Sequence, residues 1–176
     1  MVNIKKLGMS EQEIKDLESK GFGLDKKQRR LMLEMHGMET VNISDLNELQ
    51  VHFKLPEDYK NFLLENNGGT PLPNAVKTGN NVRVINNFLA IKAPKGFYDT
   101  IENYLEMYKK RIPIDTIPIA SAGSSDLILM KADGVGEICY WDHNFESEDD
   151  EDYSDNLEVL APNFSEFLRL IYSPEE

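Results

Sequence analysis

Apolar positions recur along this chain in two rhythms. From residue 10 through residue 69 they fall at helical spacing. From 82 to 161 they gather in short alternating or continuous runs, and after 163 the helical spacing returns. Ser10 and Glu13 form a capping-box pair ahead of Ile14 and Leu17, and Gly21-Phe22-Gly23 ends that stripe. Asp25 and Gln28 repeat the pattern ahead of Leu31, Met32 and Met35, with Gly37 suited to a C-terminal cap. Residues 10–37 therefore predict two short helices, and residues 1–9 are expected to fray. Ser44 is expected to cap a third helix carrying Leu46, Leu49 and Phe53 on one face.

Residues 55–69 read LPEDYKNFLLENNGG. Pro56 fits a first turn, where no intrahelical N–H bond is lost. Glu57 and Asp58 face the positive end of the helix dipole. Leu55, Tyr59, Phe62 and Leu63 share one face, and Asn67, Gly68 and Gly69 permit a left-handed exit. Val82 to Ile91 reads as a strand with a bulge or turn at Asn86-Asn87. Asp99 and Glu102 are expected to cap a helix buried through Ile101, Tyr104, Leu105 and Tyr108. Lys109, Lys110 and Arg111 fall where the dipole favours cations, so they read as a helix-end device. TIPIA, DLILMK and EICYWD follow as strands, the last two joined by a Gly-rich hairpin turn at 132–136. LEVLA is a further strand. Asn163 and Glu166 open a final helix with Phe164, Phe167, Leu168 and Ile171 inward.

Helices at both ends with strands between predict an α+β fold, a mostly antiparallel central sheet with helices packed against it. The expected organisation is a helical N-terminal extension at 1–40 and an α+β domain at 41–176.

Charge adds a location to this picture. The net charge is −12 over 176 residues. Residues 1–54 balance, so the whole excess lies beyond them, densest in DHNFESEDDEDYSDNLE at 142–158. Such a surface repels phosphate backbones, which argues against direct nucleic-acid binding. It favours encounter with a basic partner. One cysteine, Cys139, excludes an intrachain disulfide framework, and no apolar run nears the ~18 residues of a membrane span. A cytoplasmic protein without membrane contact is expected.

Catalytic patterns are missing. The three histidines, His36, His52 and His143, form no HExxH, and neither phosphate-cradling glycine motif occurs. The acidic run fails as an EF-hand loop: counted from Asp142, position 6 is Ser147 and position 12 is Tyr153. No enzyme, cofactor or metal is expected.

Three ordered blocks carry a resemblance. The first is Leu55, Pro56, Asp58, Tyr59, Phe62, Leu63, Asn67, Gly68 and Gly69. The second is IPIASAGSSDLILM with GEICYWDH, including Pro118, Gly123, Asp126, Trp141, Asp142 and His143. The third is Phe164, Phe167 and Leu168. Together they resemble the SUKH superfamily, the immunity-protein group related to a yeast cell-wall synthesis regulator. One departure is Ser124-Ser125, which separates Gly123 from Asp126 where the family often has Gly-Asp. The resemblance covers residues 44–173. It implies a binding module that neutralises a cognate toxin, a basic protein and often a nuclease. Leu55, Pro56, Tyr59, Phe62, Asn67, Gly68, Gly69 and Trp141 then read as structural. Asp142, His143, Glu146, Glu148, Asp149, Asp150, Glu151 and Asp152 are the expected partner-binding residues. The alternative is an intracellular scaffold or regulator without a toxin partner. A hydrolase built on His143 is the third reading. Oligomeric state is not legible.

Overall fold

Three nearly uninterrupted apolar runs set the centre of the fold. In a computed structural model, which describes residues 2–146, 153 and 155–174, they are strands buried along almost their whole length. Strands covered on both faces read as continuous rather than alternating apolar segments. The elements in chain order are β1 (Asn3–Lys5), α1 (Glu11–Ser19), α2 (Lys26–Gly37), α3 (Ile43–Gln50) and α4 (Glu57–Asn66). Then come β2 (Thr70–Leu72), β3 (Ala75–Thr78), β4 (Asn81–Phe88), α5 (Ile101–Met107), β5 (Thr116–Ala122) and β6 (Asp126–Lys131). β7 (Ile138–Trp141), β8 (Leu157–Ala161) and α6 (Phe164–Leu170) complete the chain. β3 to β8 form one antiparallel sheet in sequential order. The expected α+β architecture is the one observed, and the expected bulge lies between Ile85 and Asn87.

Directly paired residues share a face of a sheet. Phe88, Ala120, Ile128 and Tyr140 therefore line one side, and Ser121, Leu127 and Trp141 the other. α4 and α6 cover the first side. Phe62 meets Phe88 and Phe164 with ring centroids 5.0 and 4.9 Å apart, and Tyr59 meets Phe164 at 5.0 Å. Asp58 joins the two helices, its carboxylate accepting from Ser165 N and Oγ at 2.8 and 2.9 Å. α5 covers the second side, where Tyr108 stands edge-on to Trp141 at 5.4 Å.

The exit from α4 shows why Asn-Gly-Gly stands there. Asn67 adopts φ 49°, and its side chain holds Lys92 O, Ile91 N and Lys92 N at 2.7, 3.0 and 3.2 Å. A Cβ on Gly68 would lie 2.6 Å from Phe88 O, so any side chain would push β4 away.

The chain's beginning departs from expectation. Residues 1–9 were expected to fray, yet β1 pairs antiparallel with β2. Lys5 also reaches Glu13 at 2.8 Å, and Leu7 enters a small core with Met35, Ala90 and Phe97. Both capping boxes, at Ser10 and Asp25, are present. Two caps shift. Asn42, not Ser44, caps α3, paired with Asp45. Thr100, not Asp99, caps α5. No helix among the described residues is long and apolar enough to cross a membrane.

Candidate partner-binding site

The end of β7 gathers charged and aromatic side chains from β4, β6 and β7 and from the segment after α5. Asp142 follows Trp141 directly and caps a short 3-10 helix, His143–Phe145, by accepting from Asn144 N at 3.0 Å. Its other oxygen lies 2.7 Å from Arg83 Nη2, supplied by β4. Arg83 is steadied by Thr78 Oγ1 at 3.2 Å and lies over the Tyr140 ring, 5.3 Å from its centroid. A carboxylate only 7% exposed needs such a partner, because an unpaired buried charge is costly.

His143 turns back to Asp126 at the start of β6. The ring's Nδ1 and the backbone N–H both reach Asp126 Oδ1, at 2.7 and 3.1 Å. The other Asp126 oxygen accepts from the Tyr140 hydroxyl. Burial pushes the Asp126 carboxyl up, but the bonds from Tyr140 and His143 outweigh it and hold it below the ordinary value. The same burial and the neighbouring carboxylate push the Tyr140 hydroxyl well above its usual range.

Glu146 is held by Arg111, whose Nε donates at 3.0 Å. That guanidinium lies 4.8 Å from the Tyr108 ring centroid and 5.5 Å from that of Trp141. This corrects the reading of the Lys109–Arg111 triplet. α5 ends at Met107, and Arg111 is a clamp on Glu146 rather than a helix-end device.

Each described member of the expected site thus has its own internal partner: Arg83 for Asp142, Asp126 for His143 and Arg111 for Glu146. Glu148, Asp149, Asp150, Glu151 and Asp152 lie outside the described residues. Arg83, Tyr140 and Arg111 were missed as members. Only the aromatic-acidic composition around β7 hinted at them. Leu55, Tyr59, Phe62 and Trp141 are buried, and Pro56 sits at the N-cap of α4.

Donor atoms of Asp126, Asp142 and His143 lie within 4.8 Å of one another, a spacing a cation could use. Arg83 already lies against Asp142, however, and Asp126 is engaged by Tyr140 and His143. A metal would have to displace a guanidinium, so the set fits a hydrogen-bond network better than a metal centre. Cys139 is buried and burial pushes its thiol up, which suits packing rather than nucleophilic attack.

Residues 40–170 match the model of the SMI1 / KNR4 family, SUKH-1. An uncharacterised SPbeta prophage-derived protein of Bacillus subtilis (strain 168), YokK, is 24% identical over 168 residues, with 82% of each chain covered.

Proposed function

The chain belongs to the SMI1/KNR4 (SUKH-1) family, which includes immunity proteins, and on that premise we propose that it is one. It binds a cognate bacterial toxin domain one to one and blocks its cleft or a neighbouring surface. It works by contact and carries out no reaction. The observation that carries this reading is the family match over 40–170, joined to a net charge of −12 held wholly beyond residue 54. A nuclease is the partner best matched to that charge, because its cleft must be basic to hold phosphate. The prophage origin of the relative is in keeping with a role in conflict between bacteria.

The interface we propose runs from Asp142, His143 and Glu146 into Glu148, Asp149, Asp150, Glu151 and Asp152. Asp142 serves as its base, since Arg83 holds it. The acids beyond Glu146 steer encounter, and aromatic contacts then set residence time. Residues 1–40 are read as an extension on a SUKH unit of 41–176. The protein acts in the cytoplasm.

Affinity capture from the native host, washed at low and high salt, tests this. A single dominant partner carrying a toxin domain, whose toxicity this protein relieves on co-expression, is the expected result. Several regulatory enzymes with no toxin among them would replace the immunity reading with the scaffold one. Neutralising residues 148–152 to Asn and Gln should slow association and flatten its salt dependence.

A further inference from the structure

Beside α5, on the Trp141 side of the sheet, lies a cavity of about 360 Å³ that opens to solvent. Ligand pockets span roughly 300–1,000 Å³, so this one suits a single side chain or a small molecule. Tyr98, Tyr104 and Tyr108 line it with Asn87, Asp99 and Ser121. The tyrosines form a row. Tyr98 meets Tyr104 edge-on at 6.1 Å, and Tyr104 stacks on Tyr108 at 5.8 Å with planes 22° apart. Tyr108 already receives the guanidinium of Arg111, so this row holds such a cation once within the molecule itself.

Two carboxylates line the cavity, Asp99 and Asp126; Asp126 is engaged by Tyr140 and His143, which leaves Asp99 as the one with acceptor sites to spare. Its two oxygens accept from Asn87 Nδ2 at 2.9 Å and from the Tyr104 hydroxyl at 3.3 Å. A carboxylate has about four acceptor sites, so two remain for a fork of donors. Among the described residues no lysine or arginine lines the cavity. Tyr104 stays a donor, because burial and the Asp99 charge push its hydroxyl up to about 12. Tyr98, 61% exposed, and Met107, 37% exposed, form the outer edge, joined by a 3.4 Å contact from the hydroxyl to Sδ.

We propose that this cavity receives an arginine side chain of the protein partner, with its guanidinium on Asp99 and flat against the exposed Tyr98 ring. The proposal rests on the reading of the partner as a basic protein, and it names a second contact point apart from the acidic run. Arginine fits better than lysine, because its planar fork pairs two-to-two with a carboxylate and stacks on rings.

The test uses the full chain, ¹⁵N-labelled, titrated with acetyl-Gly-Arg-Gly-amide and with its citrulline counterpart, which keeps the shape and loses the charge. Saturable shifts at Asn87, Tyr98, Asp99 and Tyr104 are expected for the arginine peptide, with the citrulline peptide about tenfold weaker. Asp99→Asn should weaken arginine binding about tenfold. Tyr98→Ala, at an exposed position that leaves the fold intact, should weaken it about threefold. Equal response to the two peptides, shifts that persist unchanged in D99N, or no saturable shift would each overturn the proposal. None of these arms needs a toxin. Their failure therefore leaves the immunity reading to the capture experiment, and a capture without a toxin leaves the arginine site standing.

Discussion

Both faces of the sheet are lined with aromatic rings, and the two linings are made of different chemistry. Under α4 and α6 the rings are mainly phenylalanine: Phe62, Phe88, Phe164 and Phe167 meet one another with no charged group between them. Tyr59, packed into that cluster, has a hydroxyl without a protein partner among the described residues. Under α5 the rings are tyrosine and tryptophan, and each meets a hydroxyl, a carboxylate or a guanidinium. The first lining works by excluding water. The second keeps polar atoms at hand beside an open cavity.

Substitutions can break this contrast. Phe164→Ala should cost about 3–5 kcal/mol, read as a lower urea midpoint, since it empties the centre of the phenylalanine cluster. Tyr108→Phe on the opposite face should cost about 1 kcal/mol, because its hydroxyl makes only a 3.3 Å bond to Ser125 O. Equal costs would erase the distinction. Next in size, Arg83→Met should cost about 2–3 kcal/mol by stranding Asp142, and adding Asp142→Asn should restore part of the loss. A double-mutant cycle measures that coupling. Tyr59→Phe should leave the melting temperature unchanged or raised, because it removes a buried hydroxyl that has no protein partner.

The smallest effect is set by pH. Glu13 is lowered from 4.5 to about 2, chiefly by its bond from Lys5 and then by the Ser10 backbone. A depressed carboxyl stabilises above its unfolded value and loses that contribution as pH falls through the folded one. The tie between β1 and α1 should therefore hold above 4.5 and weaken toward 2, followed as amide exchange at residues 3–7. Lys5→Gln should move the Glu13 titration upward toward its ordinary value.

Elements whose cause lies within a few residues were legible. The boxes at Ser10 and Asp25, the β6–β7 hairpin and the Asn67-Gly68-Gly69 exit all follow from neighbours along the chain. The misplaced caps show the limit. Asn42 prevails over Ser44 because Asp45 stands three residues on and returns a bond to the Asn42 N–H. Asp99 yields to Thr100 because Asn87 and Tyr104 engage its carboxylate. Asp45 and Tyr104 stand only three and five residues from the residues they engage, whereas Asn87 reaches Asp99 from β4 and leaves no local trace. The same holds at the candidate site. Asp142 and His143 could be named from a motif, whereas Arg83 lies 59 positions from Asp142 and carries no signature of its own.

The partner of the chain's first strand, Thr70–Leu72, is made only after four helices have been translated. At about 5–20 residues per second, β1 waits seconds for the edge that completes it. Residues 3–5 are therefore synthesised well before the strand that secures them. The residue that admits β1 is Gly69, where any Cβ would collide with Ile4. Nascent protein still lacking that seam would expose the apolar side of Ile4 until Thr70–Leu72 is in place.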